Sequence, residues 1–254
     1  MAPGYVKRRP DAPEGFFEAE ARGLAWLAET GTVAVPDVLA VDARSITVAV
    51  VPSGHPTETG ADRFGRDLAD LHAAGAPTFG APWPGFVGPL PMSNQPVASP
   101  AGGGGWASFY AERRVLPFLR AARDRQAVTA AGAVTVERVM ERLANLAGPS
   151  AVEPPSRLHG DLWSGNLLWD RHGQAWVIDP AAHGGHRETD LAMLALFGAP
   201  HLDRILASYH EHRPLADGWP DRVGLHQLHP LLVHAVLFGP SYGHEAVAAA
   251  SAYL

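Results

Sequence analysis

Residues 157–181 read RLHGDLWSGNLLWDRHGQAWVIDPA. Asp161 follows His159 with one residue between, Asn166 comes five positions after Asp161, and Asp179 ends a later apolar run. Between Asn166 and Asp179 lie two short apolar runs around the turn Asp170-Arg-His-Gly173, the pattern of a β-hairpin. A hairpin returns the chain on itself, so Asp179 is expected close to Asn166. Phosphoryl transfer needs this set. Asn166 and Asp179 offer the hard oxygen ligands that Mg²⁺ prefers. Asp161 is the carboxylate that orients an incoming hydroxyl and takes its proton. The rest is positioning and charge neutralisation. Any one of these residues alone would ordinarily close a turn or cap a helix. The joint spacing, H-x-D-x4-N and then D at a strand end, points to chemistry.

The elements that must hold this cluster can be read from periodicity. Residues 4–9 suit a strand. A helix is predicted over 16–30, with Phe16, Phe17, Leu24 and Leu27 at helical spacing and Gly31 as its stop. Strands follow at 38–41 and 46–51, then the breaker Pro52-Ser-Gly54. A second helix spans 63–74, with Phe64, Leu68 and Leu71 on one face. Residues 75–105 read as a long irregular stretch rich in Pro and Gly, and 100–105 as a flexible loop by composition. Helices are expected over 106–125, 134–146, from 188, and over 202–212, 223–238 and 245–254. The order is a strand-containing N-terminal part and a mainly helical C-terminal part.

Composition excludes several classes. The chain has 254 residues, 46% of them hydrophobic and 18% charged, and a formal net charge of −6. That charge offers no field for nucleic acid. No apolar run approaches the ~18 residues of a membrane span, so no membrane partner is expected. There is no cysteine, which removes thiolate nucleophiles and Cys-zinc sites. The first residues lack the apolar core of a signal peptide, and a cytoplasmic location is the expectation. Gly239-Pro-Ser-Tyr-Gly243 matches G-x-S-x-G, but too few residues follow to build a triad. The histidines show no H-E-x-x-H and no common zinc spacing. Of the 20 basic residues, only Lys7 is lysine. Either it does work that arginine cannot, or it is an exposed survivor of the bias. A Walker A loop needs G-K-[ST], which Val6-Lys7-Arg8 does not supply.

The version HGDLWSGN…IDPA…GHRETDLAM resembles the fructosamine kinase (ketosamine-3-kinase) family, relatives of the aminoglycoside phosphotransferases within the protein-kinase-like superfamily. The likeness covers most of the chain, including VK…FFEAEARGLAWLA, Asn94 with WASFYAERRVLPFL, and PLLVHAVLFGPSYG. The resemblance implies an α+β, bilobal protein-kinase-like fold. Residues 1–53 would form a small sheet-plus-helix N-lobe and 54–254 a larger, mainly helical C-lobe. Lys7 would contact the α- and β-phosphates of ATP, with Glu20 pairing to it; an ordinary solvated helix charge is the alternative for Glu20. Ala49, Val50 and Val51 would form the hinge that meets adenine, and Mg²⁺ would be the metal. Trp163 would face the substrate, with a core tryptophan as the alternative. His183, His186, Arg187 and Glu188 would line the same cleft. Asp190 would accept hydrogen bonds from the catalytic-loop backbone. The family also carries a glycine-containing hairpin before the strand lysine. Only six residues precede Lys7, so the expectation is a misplaced start or an N-lobe lacking part of its nucleotide lid.

The implied activity is phosphorylation of the 3-hydroxyl of a ketosamine, a sugar-derived adduct on a free amine or a protein lysine, in the manner of deglycation. Two rivals remain. One is a related kinase for another alcohol, such as an aminoglycoside or choline, against which Trp163-Ser164 and the GHRE segment argue. The other is a nucleotide-binding pseudokinase, suggested by the short N-terminus.

Overall fold

A computed structural model of the chain describes residues 3–99 and 105–254. Of the stretch 100–105 read as a flexible loop, residues 100–104 lie outside the described residues. In chain order the elements are β1 (Gly4–Arg8), α1 (Phe16–Ala28), β2 (Val38–Asp42), β3 (Ser45–Ala49), α2 (Glu58–Ala73), β4 (Gly85–Val87) and β5 (Leu90–Met92). Next come α3 (Trp106–Tyr110), a π-helical turn (Ala111–Val115), α4 (Leu116–Asp124), α5 (Ala130–Glu141) and α6 (Leu143–Ala147). Then follow β6 (Ser156–Leu158), β7 (Leu167–Trp169), β8 (Ala175–Val177), β9 (His183–Gly185), α7 (Glu188–Phe197), α8 (Leu202–His212), α9 (Trp219–Phe238) and α10 (Pro240–Ser251). By packing, residues 1–96 and 155–215 form one compact unit, and 97–154 and 216–254 a second. The expected lobe boundary at residue 53 falls at neither unit edge.

In the first unit, β1, β3 and β2 form an antiparallel sheet in that order. Ile46 and Val48 alternate inward from β3 and meet Phe17 and Leu24 of α1. Burying each of these side chains stabilises by about 1.5–3 kcal/mol. Glu20 lies on the same buried stripe of α1 as Phe17, Leu24 and Leu27. The sheet strand β1 carries Lys7, opposite Ile46 in register.

α2 begins five residues earlier than periodicity suggested. Thr57 supplies the reason: its hydroxyl accepts from the Gly60 amide at 3.0 Å, capping a polar first turn that carries no apolar signal. Gly54 and Gly60 sit directly on the turn between β7 and β8. A Cβ on Gly54 would lie 2.0 Å from the Asp170 carbonyl oxygen, and one on Gly60 2.0 Å from that of Gly173.

The second unit is helical. α9 runs through Pro230, which has no amide hydrogen to give the His226 carbonyl four residues before it. Tyr110, buried at the junction of α3 and the π-helical turn, donates its hydroxyl to that carbonyl at 2.7 Å. The Tyr110 hydroxyl oxygen in turn accepts from the His229 amide at 3.2 Å. Tyr110→Phe leaves the buried carbonyl without this donor. The expected result is a loss of about 1–3 kcal/mol in urea unfolding.

Candidate active site

The hairpin β7–β8 pairs Leu167 with Val177, Leu168 with Trp176 and Trp169 with Ala175. Its turn is organised by Asp170. One carboxylate oxygen accepts from the amides of His172 and Gln174, at 2.8 and 3.0 Å, and the other accepts from Trp176 Nε1 at 3.1 Å. Gly173 adopts φ +73°, a conformation that suits glycine. The ladder ends with the Ile178 amide donating to the Asn166 carbonyl at 3.1 Å. Asp179 therefore emerges beside Asn166. It has φ +55°, a strained conformation for a non-glycine residue, and such strain clusters at functional sites.

The loop before β7 is held from below. Asp190 is fully buried in the first turn of α7. Its two oxygens accept from the amides of His159 at 2.8 Å and Gly160 at 2.9 Å. His72 Nε2 lies 3.2 Å from Asp190, and His72 Nδ1 lies 2.9 Å from the Tyr209 hydroxyl. His159 Nε2 meets the Ile178 carbonyl at 2.8 Å, tying the loop to the residue before Asp179. Gly160 has φ +81°, and a Cβ there would lie 2.3 Å from the Ala181 carbonyl oxygen.

Asp161, Asn166, Asp179, Lys7 and Glu20 all line one cavity of about 200 Å³. Asn166 turns its amide Nδ2 toward Asp161, donating to the carbonyl at 2.8 Å and to Oδ2 at 3.0 Å. That leaves the Asn166 side-chain oxygen outside this contact. Lys7 Nζ lies 2.6 Å from Glu20 and 2.8 Å from Asp179. Burial alone would lower the Lys7 ammonium, but Glu20 and Asp179 outweigh it and raise it above its ordinary value. Burial pushes the Asp161 carboxyl up to about 7; the Asn166 hydrogen bond opposes this, and the charges of Asp190 and Asp179 add to it.

An amide oxygen and a half-exposed carboxylate on one cavity fit a hard divalent cation. A second, more apolar cavity adjoins through Lys7 and Asp179. Ala49, Val50 and Val51 line it with Tyr5, Leu168 and Ile178. The strand stops at Ala49, where the Ala49 amide donates to the Asp37 carbonyl at 2.8 Å and the Val50 amide to the Pro3 carbonyl at 3.0 Å.

The remaining expectations divide. Trp163 lines the first cavity and is 39% exposed, which excludes the reading of a core tryptophan. His183, His186 and Glu188 do not line either cavity. All three are buried, His183 on β9 paired with β6 and Glu188 in the first turn of α7. Their closeness in sequence to Asp179 does not carry them to the cleft, because β9 turns the chain back against β6. Arg187 instead donates to the carbonyls of Arg213 and Pro214. Sequence reasoning missed Trp83 and Phe86, which also line the first cavity, and gave Asn94, singled out only for its resemblance, no place in it. Two aromatics set among Pro and Gly at 83–86 were the available signal. Among the described residues, no helix is long and apolar enough to cross a membrane.

A family model described as fructosamine kinase matches residues 2–254. A Thermobifida fusca crystal structure, to which fructosamine-3-kinase identity is ascribed, is 52% identical. It superposes with a TM-score of 0.92 over 99% of this chain and 85% of that one. The chloroplastic protein-ribulosamine 3-kinase of Arabidopsis thaliana is 30% identical over 262 residues, covering 98% of this chain and 76% of the relative. The gentamicin complex of APH(2″)-IIa is only 13% identical but aligns over 99% of this chain and 87% of that one with a TM-score of 0.63, which shows the shared protein-kinase-like fold.

Proposed function

The chain belongs to the fructosamine kinase family, and from that premise we propose that it transfers the terminal phosphoryl group of ATP to the 3-hydroxyl of a ketosamine. One observation carries the reading. Asp161, Asn166, Asp179 and Lys7 converge on one cavity, and an apolar cavity adjoins it through Lys7 and Asp179. Adenine fits the apolar cavity, with the backbone groups of Ala49, Val50 and Val51 as its hinge contacts. The phosphates then lie over Lys7, whose compact ammonium suits two phosphates better than a guanidinium fork. Glu20 holds Lys7 in place. In lobe terms, residues 1–53 serve the nucleotide and 54–254 carry the catalytic loop and the acceptor.

Asn166 and Asp179 would hold Mg²⁺, which would supply neutralisation of phosphate charge. Asp161 orients the acceptor hydroxyl. The hydroxyl oxygen attacks the terminal phosphorus, the bond to the leaving diphosphate breaks, and the hydroxyl proton passes to the Asp161 carboxylate. Trp163 stacks on the apolar side of the sugar. The amine carrier is a small amine or a glycated lysine of a protein. His183, His186 and Glu188, being buried, have no part in substrate contact in this reading.

The test is turnover. Purified protein with ATP and Mg²⁺ is offered fructose and ribulose adducts of a blocked lysine, an aminoglycoside and choline, and products are read by ³¹P NMR. Phosphorylation confined to the ketosamines is the expected result. Preferred turnover of the aminoglycoside or choline would replace the substrate assignment. Nucleotide binding without turnover of any acceptor would favour the pseudokinase.

A further inference from the structure

The cavity that holds Asp161 has an aromatic wall. Trp83 and Phe86 line it, both half-buried, and each ring is backed by a ring on α1. Phe86 meets Phe16 edge-on at 5.2 Å between centroids, and the Arg9 guanidinium lies 5.1 Å from the Phe16 ring. Trp83 meets Trp26 at 5.5 Å, and Arg157 lies 4.5 Å from the Trp26 ring. Two ladders result, each running from an arginine through an α1 aromatic to an aromatic at the cavity. The backbone under them is pinned. Gly80 and Gly184 exchange amide-to-carbonyl bonds at 2.8 Å, and the Ala81 amide donates to the Asn94 carbonyl at 2.8 Å.

The wall's place relative to the chemistry follows from α1. Phe16 stands four residues before Glu20, one turn and about 6 Å along the axis. Phe16 lines the cavity itself, so the aromatic wall and the Lys7–Glu20 pair share that one cavity. Its charge environment is one-sided. Glu20, Asp161 and Asp179 line the cavity. Among the described residues, the one cation lining it is Lys7, held by Glu20 and Asp179. Arg9 and Arg157 stand at the outer ends of the ladders and do not line it.

We infer that Trp83 and Phe86 form the subsite for the amine-bearing arm of the acceptor, and that it takes a protonated alkylamine. The inference rests on the ketosamine reading above. In a ketosamine the nitrogen sits on C1, two carbons from the 3-hydroxyl that Asp161 orients. A protonated secondary amine and its first methylenes then reach the aromatic faces, which attract cations and pack against CH₂ groups. An adduct on the α-amine of a free amino acid would bring its carboxylate to the same wall, where no lining cation meets it.

The test compares kcat/KM for two fructose adducts, one on an alkylamine and one on glycine with its carboxylate free. The parent is expected to favour the alkylamine adduct by about tenfold. Trp83→Ala and Phe86→Ala are expected to bring that ratio near unity through KM for the alkylamine adduct, with KM for ATP unchanged. Phe86→Leu, which keeps the apolar volume and removes the π-face, is expected to lower the ratio in the same direction and guards against misfolding of the alanine variants. A parent that does not discriminate overturns the inference, as do variants that leave the ratio intact or depress both adducts equally. If the parent phosphorylates no ketosamine, the functional reading itself falls and takes this inference with it. Ketosamine turnover with an undisturbed ratio sinks the subsite alone.

Discussion

Asp161→Asn is expected to lower kcat by about 10²–10⁴, the range for removal of a positioned general base, while ATP affinity stays within about twofold. The substitution is isosteric and keeps an acceptor for Asn166 Nδ2, which lies 3.0 Å from Asp161 Oδ2. It leaves Lys7 and the apolar cavity untouched. Single-turnover phosphorylation and calorimetric titration of ATP measure the two effects separately. Undiminished turnover in the variant would remove Asp161 from the role of base. The same variant carries a second readout. Burial, reinforced by Asp190 and Asp179 against the Asn166 hydrogen bond, pushes the Asp161 carboxyl up to about 7. The folded value exceeds the unfolded one, so the ionised carboxylate costs stability above pH 7, and protonation relieves that cost as pH falls toward 4. In metal-free protein the variant should outlast the parent in urea at pH 8. The difference should shrink at pH 5.

Asp190→Ala is expected to cost about 3–5 kcal/mol. Two buried amides, of His159 and Gly160, lose their acceptor, and His72 loses a partner at 3.2 Å. Each unsatisfied buried group costs about 1–3 kcal/mol. Against a typical total of about 5–15 kcal/mol, the variant sits near the edge of folding. Urea titration at pH 7 measures the loss, and a change below about 1 kcal/mol would refute the anchoring role. Acid should mimic part of the effect. Burial alone would raise the Asp190 carboxyl, but the His72 hydrogen bond, the charges of His72 and His159 and the Gly160 amide outweigh it and hold it below its ordinary value. Its stabilisation is present above the unfolded pKa, near 4, and is lost as pH falls through the folded one.

The convergence of Asp161, Asn166 and Asp179 on one cavity was legible because the geometry behind it is local. Asp161, Asn166 and Asp179 are tied by one hairpin whose turn, Asp170 to Gly173, announces itself in the sequence. The strand lysine and its helix partner were readable for a related reason, since α1 carries a clear apolar stripe around Glu20. What failed depended on long-range placement. β4 and β5 are three residues each, inside a Pro- and Gly-rich stretch, and gave no alternation to detect. The aromatic wall reaches the cavity through the bridge between Gly80 and Gly184, which no local pattern encodes. His183, His186 and Glu188 looked like cleft residues by adjacency alone, and the pairing of β9 with β6 buries them. The π-helical turn at Ala111–Val115 follows α3 and leads into α4 without a break, so the sequence read as one continuous helix.

Lys7 gives the chain an unusual handle. No other side chain in the sequence carries a primary amine, so an acylating reagent finds one side-chain target, clamped between two carboxylates. Each side-chain labelling event is a single mass increment on one residue. The rate of that increment, with and without nucleotide, would report occupancy of the catalytic centre without any engineered probe.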